Sequence, residues 1–301
     1  MLTEIYGRQD KFMADNSSVT QSRDDMTPTP KSTQTGAPIR RAKNILAVAS
    51  GKGGVGKTWF SITLSHALAQ EGKRVLLFDG DLGLANIDVQ LGLMPKRDLN
   101  DVIRGRLALD KVIQRYDEGG FDIIAGRSGQ ASLAALPSQR LALLRDQLFE
   151  VSSQYDIVII DLGAGVERNV RMLAASAART LLVALDEPTS LTDAYAFIKL
   201  GNAAGQSKNV GIVINQAANT TEGQKTYKTL LKACENFLRL SPPLIGMIRH
   251  DSQVKDAIRR QTPILKRSPN ADAAEDVRAI AKKVIVEIET LKKNAKAAAS
   301  A

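Results

Sequence analysis

Cysteine is almost missing from this 301-residue chain: Cys234 stands alone, which excludes an intramolecular disulfide and any zinc site built from several cysteines. The two histidines, His66 and His250, lie far apart and read most simply as core or surface residues. Aromatic residues make up only 4% and do not interleave with the basic clusters, so stacking platforms for single-stranded nucleic acid are not expected. No run approaches the roughly 18 apolar residues of a membrane span, and Met1–Thr20 has no continuous apolar stretch of the signal-peptide kind. The expectation is a cytoplasmic protein. Acidic residues are outnumbered. The net charge of +9 and pI near 9.6 permit an anionic partner, whether nucleic-acid backbone, phospholipid or acidic protein, without choosing among them.

What is present is 44% hydrophobic, enough for one large domain or two small ones. The first 43 residues carry few large apolar side chains and collect Ser, Thr, Asp, Gln and Pro, so they bury too little to offset ordering entropy and read as a flexible arm. Beyond them, short apolar runs alternate with helix-like stretches: Ile45–Ala49, Val75–Phe78, Phe121–Ile124, Ile157–Ile160, Leu181–Leu185, Val210–Ile214 and Leu244–Ile248. Strands this continuously apolar need helices over both faces, which predicts an α/β domain with a doubly wound, mostly parallel sheet over 44–291. An Ala/Lys tail, 292–301, is expected to fray.

Gly51-Lys52-Gly53-Gly54-Val55-Gly56-Lys57-Thr58 satisfies G-x-x-x-x-G-K-[ST] between an apolar run and a helical pattern starting at Trp59. This is the phosphate-binding P-loop in its required strand-loop-helix setting. Glycines let backbone N–H groups surround phosphate oxygens, and the helix adds its positive end. Lys57 reaches the β and γ phosphates and the Thr58 hydroxyl ligates Mg²⁺ in such a loop, so ATP and Mg²⁺ are the expected cofactors. Lys52 is a second cation that the motif does not need. It reads either as a solvated loop lysine or as a charge offered in trans to a second subunit.

In such sheets ligands collect beyond the carboxyl ends of the strands. Asp79 and Asp81 follow Val75–Phe78, two residues apart and so on one side if strand geometry persists. Such carboxylates serve to hold an attacking water or the waters of Mg²⁺, or simply cap a turn. Asp161 ends the run Ile157–Ile160 at the Walker B position, an expected metal ligand. Gly163 and Gly165 after it would let the next loop move. Asn215 ends Val210–Ile214, and its amide offers the donor and acceptor that an adenine edge requires.

The loop Gly51–Thr58 resembles the deviant Walker A motif of the MinD and ParA ATPases. In that family the early lysine crosses a face-to-face dimer, so the resemblance implies an ATP-dependent homodimer in which Lys52 touches the partner's nucleotide. The segment Asp79-Gly-Asp81-Leu-Gly-Leu-Ala-Asn86-Ile-Asp88 follows the MinD-type switch I pattern D-x-D-x-G-L-x-N-x-D. This implies that Asp81 orients the attacking water and Asp79 supports the metal or the loop. Asn215 would recognise the base by the same likeness. Within the family, Leu91-Gly92-Leu93, Asp161-Leu-Gly-Ala-Gly165 and the stretch from Arg249 to Asn270 are most similar to the flagellar-number regulators called FlhG, FleN or MotR. That implies control of flagellar number or placement, with an FlhF-like GTPase, switch-complex proteins and a transcriptional activator as partners. The chain departs from the pattern at Trp59, where relatives carry a small or polar residue near the α-phosphate, at Gln216 in place of Lys or Arg, and at Arg249 in place of proline. The first 43 residues also lack the group's glutamine-containing motif. Two other readings stay open: a partitioning or division-site ATPase that holds DNA or membrane, and a catalytically weak nucleotide-binding scaffold obstructed by Trp59.

Val277, Ile280, Val284, Ile288 and Leu291 have helical spacing, with Lys282, Lys283, Lys292 and Lys293 available to the polar side. A helix docked on the sheet and a reversible membrane anchor both explain that stripe.

Overall fold

The computed structural model describes residues 42–126, 136–205 and 209–299. The arm expected over 1–43 lies outside them except for its last two residues, which already belong to the first strand. Each apolar run becomes a strand: β1 (Ala42–Ser50), β2 (Val75–Gly80), β4 (Phe121–Ile124), β5 (Ile157–Ala164), β6 (Ala177–Ala184), β7 (Val210–Ala217) and β8 (Leu244–Arg249). An eighth, β3 (Gln114–Tyr116), has only three residues at the sheet edge and left no apolar signal in the sequence. The order is β3-β4-β2-β5-β1-β6-β7-β8. Only the edge pair β3–β4 is antiparallel. This is the doubly wound, mostly parallel α/β class, and the described residues fall in one compact unit.

The helices are α1 (Lys57–Gln70), α2 (Ile87–Leu91), α3 (Leu99–Ile103), α4 (Ser138–Ser152), α5 (Arg168–Ser176), α6 (Pro188–Ala203), α7 (Thr220–Leu238), α8 (Ser252–Arg259), α9 (Ile264–Arg267) and α10 (Asp272–Ala299). With helices over both faces, Ile45–Ala49 and Leu76–Phe78 are buried almost completely, as a continuously apolar strand requires. His66 on α1 is a core residue, its pKa pushed down to about 4 by burial and then by Arg278 and Lys266. Cys234 is buried too, and burial pushes its thiol up to about 12.

Of the two readings of the C-terminal stripe, the fold adopts docking. Val277, Ile280, Val284 and Ile288 of α10 are each no more than 2% exposed, and α10 packs on β8 and α1. Full burial of such a side chain stabilises by about 1.5–3 kcal/mol, so this face is held in the core. The polar side is fastened as well. The Arg249 guanidinium holds both carboxylate oxygens of Asp276, each at 2.9 Å, and an oxygen of Asp272 at 2.8 Å. Arg179 pairs with Glu287 and Lys73 with Glu289. Lys283 and Lys292 donate to the carbonyls of Ile245 and Asp156. Helix α10 runs on through the Ala/Lys tail to Ala299, residues of high helix propensity. Among the described residues, no helix is long and apolar enough to cross a membrane.

Candidate functional site

The strand order brings the predicted site residues to one edge of the sheet. Central β1 runs into the loop Gly51–Gly56, with β5 on one side and β6 on the other. Asp161 on β5 is in register with Val48 of β1 and with Asp79 of β2. Both carboxylates thus sit within their strands instead of just beyond them, because pairing carries β2 and β5 further than their apolar runs.

The loop's glycines are required by its geometry. Gly54 and Gly56 have φ of 76° and 90°, which only glycine adopts without strain. A Cβ on Gly56 would come within 2.5 Å of Asn215 Nδ2, and one on Gly51 within 2.3 Å of the Asp193 backbone on α6. Beyond the loop, Lys57 and Thr58 open α1 at the floor of a cavity of about 570 Å³, lined also by Gly53, Gly54, Asp81 and Gly163. A helix N-terminus beneath a glycine loop is an anion site by construction.

Beside that floor lie three carboxylates. Asp161 is buried; it accepts from the hydroxyls of Thr58 and of Ser61, the latter at 2.9 Å. Burial pushes its pKa up to about 6, against the opposing pull of these hydroxyls and of Lys57. Asp79, equally buried, is raised well above the usual carboxylate range by burial and then by the charge of Asp161. Its oxygens face the backbone N–H groups of Asp81 and Ile87. Asp81 is half-buried, accepts from Leu84 N at 3.0 Å and stands against Gly163, where a Cβ would lie 3.2 Å from its carboxylate. Lys57 is held below its ordinary pKa by burial, with Asp161 and Asp81 acting to raise it.

Lys52 is not among the residues that line this cavity. Its ammonium donates to Glu187 Oε2 at 2.6 Å and to Thr189 Oγ1 at 3.0 Å, at the start of α6. Asn215 is 4% exposed; its Nδ2 donates to Val55 O at 2.8 Å, and its Oδ1 accepts from Gln216 N at 2.9 Å. The amide thus braces the P-loop from β7, leaving one N–H and one lone pair for a ligand. Trp59 is 6% exposed with its indole N–H buried and unpartnered.

A family model for the CobQ/CobB/MinD/ParA nucleotide-binding domain matches residues 46–264. The chain belongs to this family. Antiactivator FleN of Pseudomonas aeruginosa is 40% identical over 80% of this chain and 85% of its own length. The flagellum site-determining protein YlxH of Helicobacter pylori is 30% identical over 81% and 83%. The septum site-determining protein MinD of Pyrococcus horikoshii, solved with Mg-ADP, shares the fold with a TM-score of 0.67 at 24% identity, covering 80% of this chain and 95% of that one. The chain is an ATP-dependent switch ATPase of the MinD/ParA type, with flagellar regulators among its relatives.

The donor set of this MinD/ParA-type site suits Mg²⁺. Thr58 and Asp161 offer hard oxygens beside a phosphate cradle, and the raised pKa values of Asp161 and Asp79 are what a nearby cation would relieve. Among the described residues, no cluster of three or more His, Cys, Asp or Glu forms a metal cage, and Mg²⁺ does not need one, since it takes one or two carboxylates, waters and phosphate oxygens. Sequence reasoning missed Ser61, Glu187, Thr189 and Asp193. Ser61, Thr189 and Asp193 lie on helices and Glu187 immediately precedes α6, and their partners are set by packing: Glu187 meets Lys52 across 135 residues.

Proposed function

We propose that this ATPase controls the number or placement of flagella through an ATP-dependent homodimer. The observation that carries this reading is the 40% identity to antiactivator FleN across most of both chains, supported by the flagellar relative from Helicobacter pylori. Lys57 and the backbone of Gly51–Gly56 bind the phosphates. Thr58 and Asp161 would hold Mg²⁺, which would neutralise phosphate charge, and Asp79 would support that metal or the loop that carries Asp81. Asp81 orients the attacking water, and Asn215 contacts the base through its remaining valences. Lys52, which does not line its own cavity, leaves Glu187 to reach the partner subunit's nucleotide. Hydrolysis then serves as a timer that releases partners of the kind expected from the resemblance: an FlhF-like GTPase, switch-complex proteins and a transcriptional activator.

The test is a flagellar count by electron microscopy in a deletion strain complemented with wild type or Lys57→Ala. Altered number or position, rescued only by wild type, is the expected result. Normal flagella with misplaced septa or lost replicons would overturn the flagellar assignment and move the ATPase to the division or partitioning branch.

A further inference from the structure

A second cavity, of about 200 Å³, adjoins the phosphate cavity. It is lined by Asn215, Gln216, Arg249, His250, Asp251 and Lys255 on its polar side and by Ile248 and Val254 on its apolar side, with the Arg249 guanidinium already held by Asp276 and Asp272. Gly54, Gly56, Trp59 and Ile258 line both cavities. They therefore form the junction between a compartment built for phosphates and one built for a planar group with polar edges. A nucleotide that spans the two must lay its sugar across that junction, where Trp59 is the only tryptophan, tyrosine or phenylalanine among the described lining residues.

The indole's orientation is set by the protein. Its N–H is buried with no partner, although an unmade bond of that kind costs about 1–3 kcal/mol. The ring keeps this pose because it packs from α1 against α2, α8 and α9, where it shares a small void with Ile62, Leu91, Ala257 and Ile264. With the polar edge turned into the core, what remains for the cavity is carbon. A carbon surface of that kind grips the apolar face of a sugar or base and contributes nothing to phosphates.

We propose that Trp59 is the nucleoside-specificity contact of this site, packing against the sugar where it joins the two compartments. This rests on the ATPase reading of the same cleft. It replaces the obstruction that the sequence alone suggested with a contact that discriminates nucleoside polyphosphates from bare ones.

The test compares Mg²⁺-ATP with Mg²⁺-tripolyphosphate on the full-length chain by calorimetry. Trp59→Ala is expected to weaken ATP binding on the order of tenfold, the scale of one aromatic packing contact, and to leave tripolyphosphate binding unchanged within about twofold. Trp59→Phe retains most of the ATP affinity, and Trp59→Leu, which keeps an apolar but non-aromatic side chain in the core, loses it as alanine does. Because Trp59 is the only tryptophan, its emission reports directly: ATP shifts it and tripolyphosphate does not. Equal losses for both ligands would mean a purely structural role, and a gain in ATP affinity would mean obstruction. Either result overturns the proposal. A wild-type protein that binds neither ligand would overturn the ATPase reading itself, an outcome separable from the others by the tripolyphosphate arm.

Discussion

Substituting Glu187 by Gln should tighten ATP-dependent dimerisation. In the single subunit the Lys52 ammonium is held by Glu187 at 2.6 Å and by Thr189 at 3.0 Å, and the pair is open to solvent, with side-chain exposures of 37% and 49%. An exposed pair of this kind contributes only about 0.2–1 kcal/mol after screening and side-chain entropy. A lysine that works in trans must give up that contact, and a dimer breaks two of them. The resting contacts thus oppose association by roughly 0.4–2 kcal/mol per dimer, which corresponds to about a two- to thirtyfold change in its dissociation constant. Glu187→Gln removes the charge and keeps the shape. Multi-angle light scattering or sedimentation with a non-hydrolysable ATP analogue should show the midpoint of dimerisation falling by that factor, and the gain should shrink in high salt. In a Lys52→Ala background, where the dimer itself should be lost, Glu187→Gln should have no effect. An unchanged midpoint in the wild-type background would refute the resting contact as a restraint. Weaker dimerisation would show that Glu187 serves the interface instead of opposing it.

Asp161→Asn should stabilise the nucleotide- and Mg²⁺-free protein at neutral pH while weakening Mg²⁺-nucleotide binding. Burial raises the folded-state pKa from 3.8 to about 6, so the folded form holds its proton more tightly than the unfolded chain. The associated stability is fully present below pH 4 and is lost as pH rises through about 6. The neutral amide escapes a penalty of roughly 3 kcal/mol at pH 7.5. Thermal melts should therefore show wild type and variant alike at pH 4 and diverging by pH 7.5; a gap that does not grow with pH would refute the burial account. Asp81→Ala should lower ATP hydrolysis by about 10²–10⁴-fold and leave the ATP dimer long-lived in light scattering. Near-normal phosphate release would remove Asp81 from the water-orienting role.

Much of this site is readable from the chain because its chemistry is local. Gly51–Thr58 must be glycine-rich and followed by a helix if backbone N–H groups are to face phosphate, so spacing alone declares it. Seven strands announce themselves as apolar runs because both sheet faces are covered. The eighth, Gln114–Tyr116, is too short and too polar at its edge position to do so. The C-terminal stripe shows the limit in another way: Val277, Ile280, Val284 and Ile288 specify an amphipathic helix, but the spacing is identical whether its apolar face meets lipid or protein.

The sequence by itself determined the P-loop, the parallel α/β class and the identity of the carboxylates, since each is written in contiguous residues whose backbone geometry follows from local sterics and hydropathy. Tertiary structure decided where those residues point. Only the pairing of β2 with β5 sets Asp79 beside Asp161 inside a covered sheet, where burial raises both their pKa values, and only the packing of α6 beside the P-loop brings Glu187 and Thr189 to Lys52. Likewise, only the position of β7 makes Asn215 a brace for Val55, and only the packing of α1 against α8 and α9 sets Trp59 between two cavities. Contacts between residues a hundred or more positions apart depend on the global register of the sheet, and no local pattern carries that information.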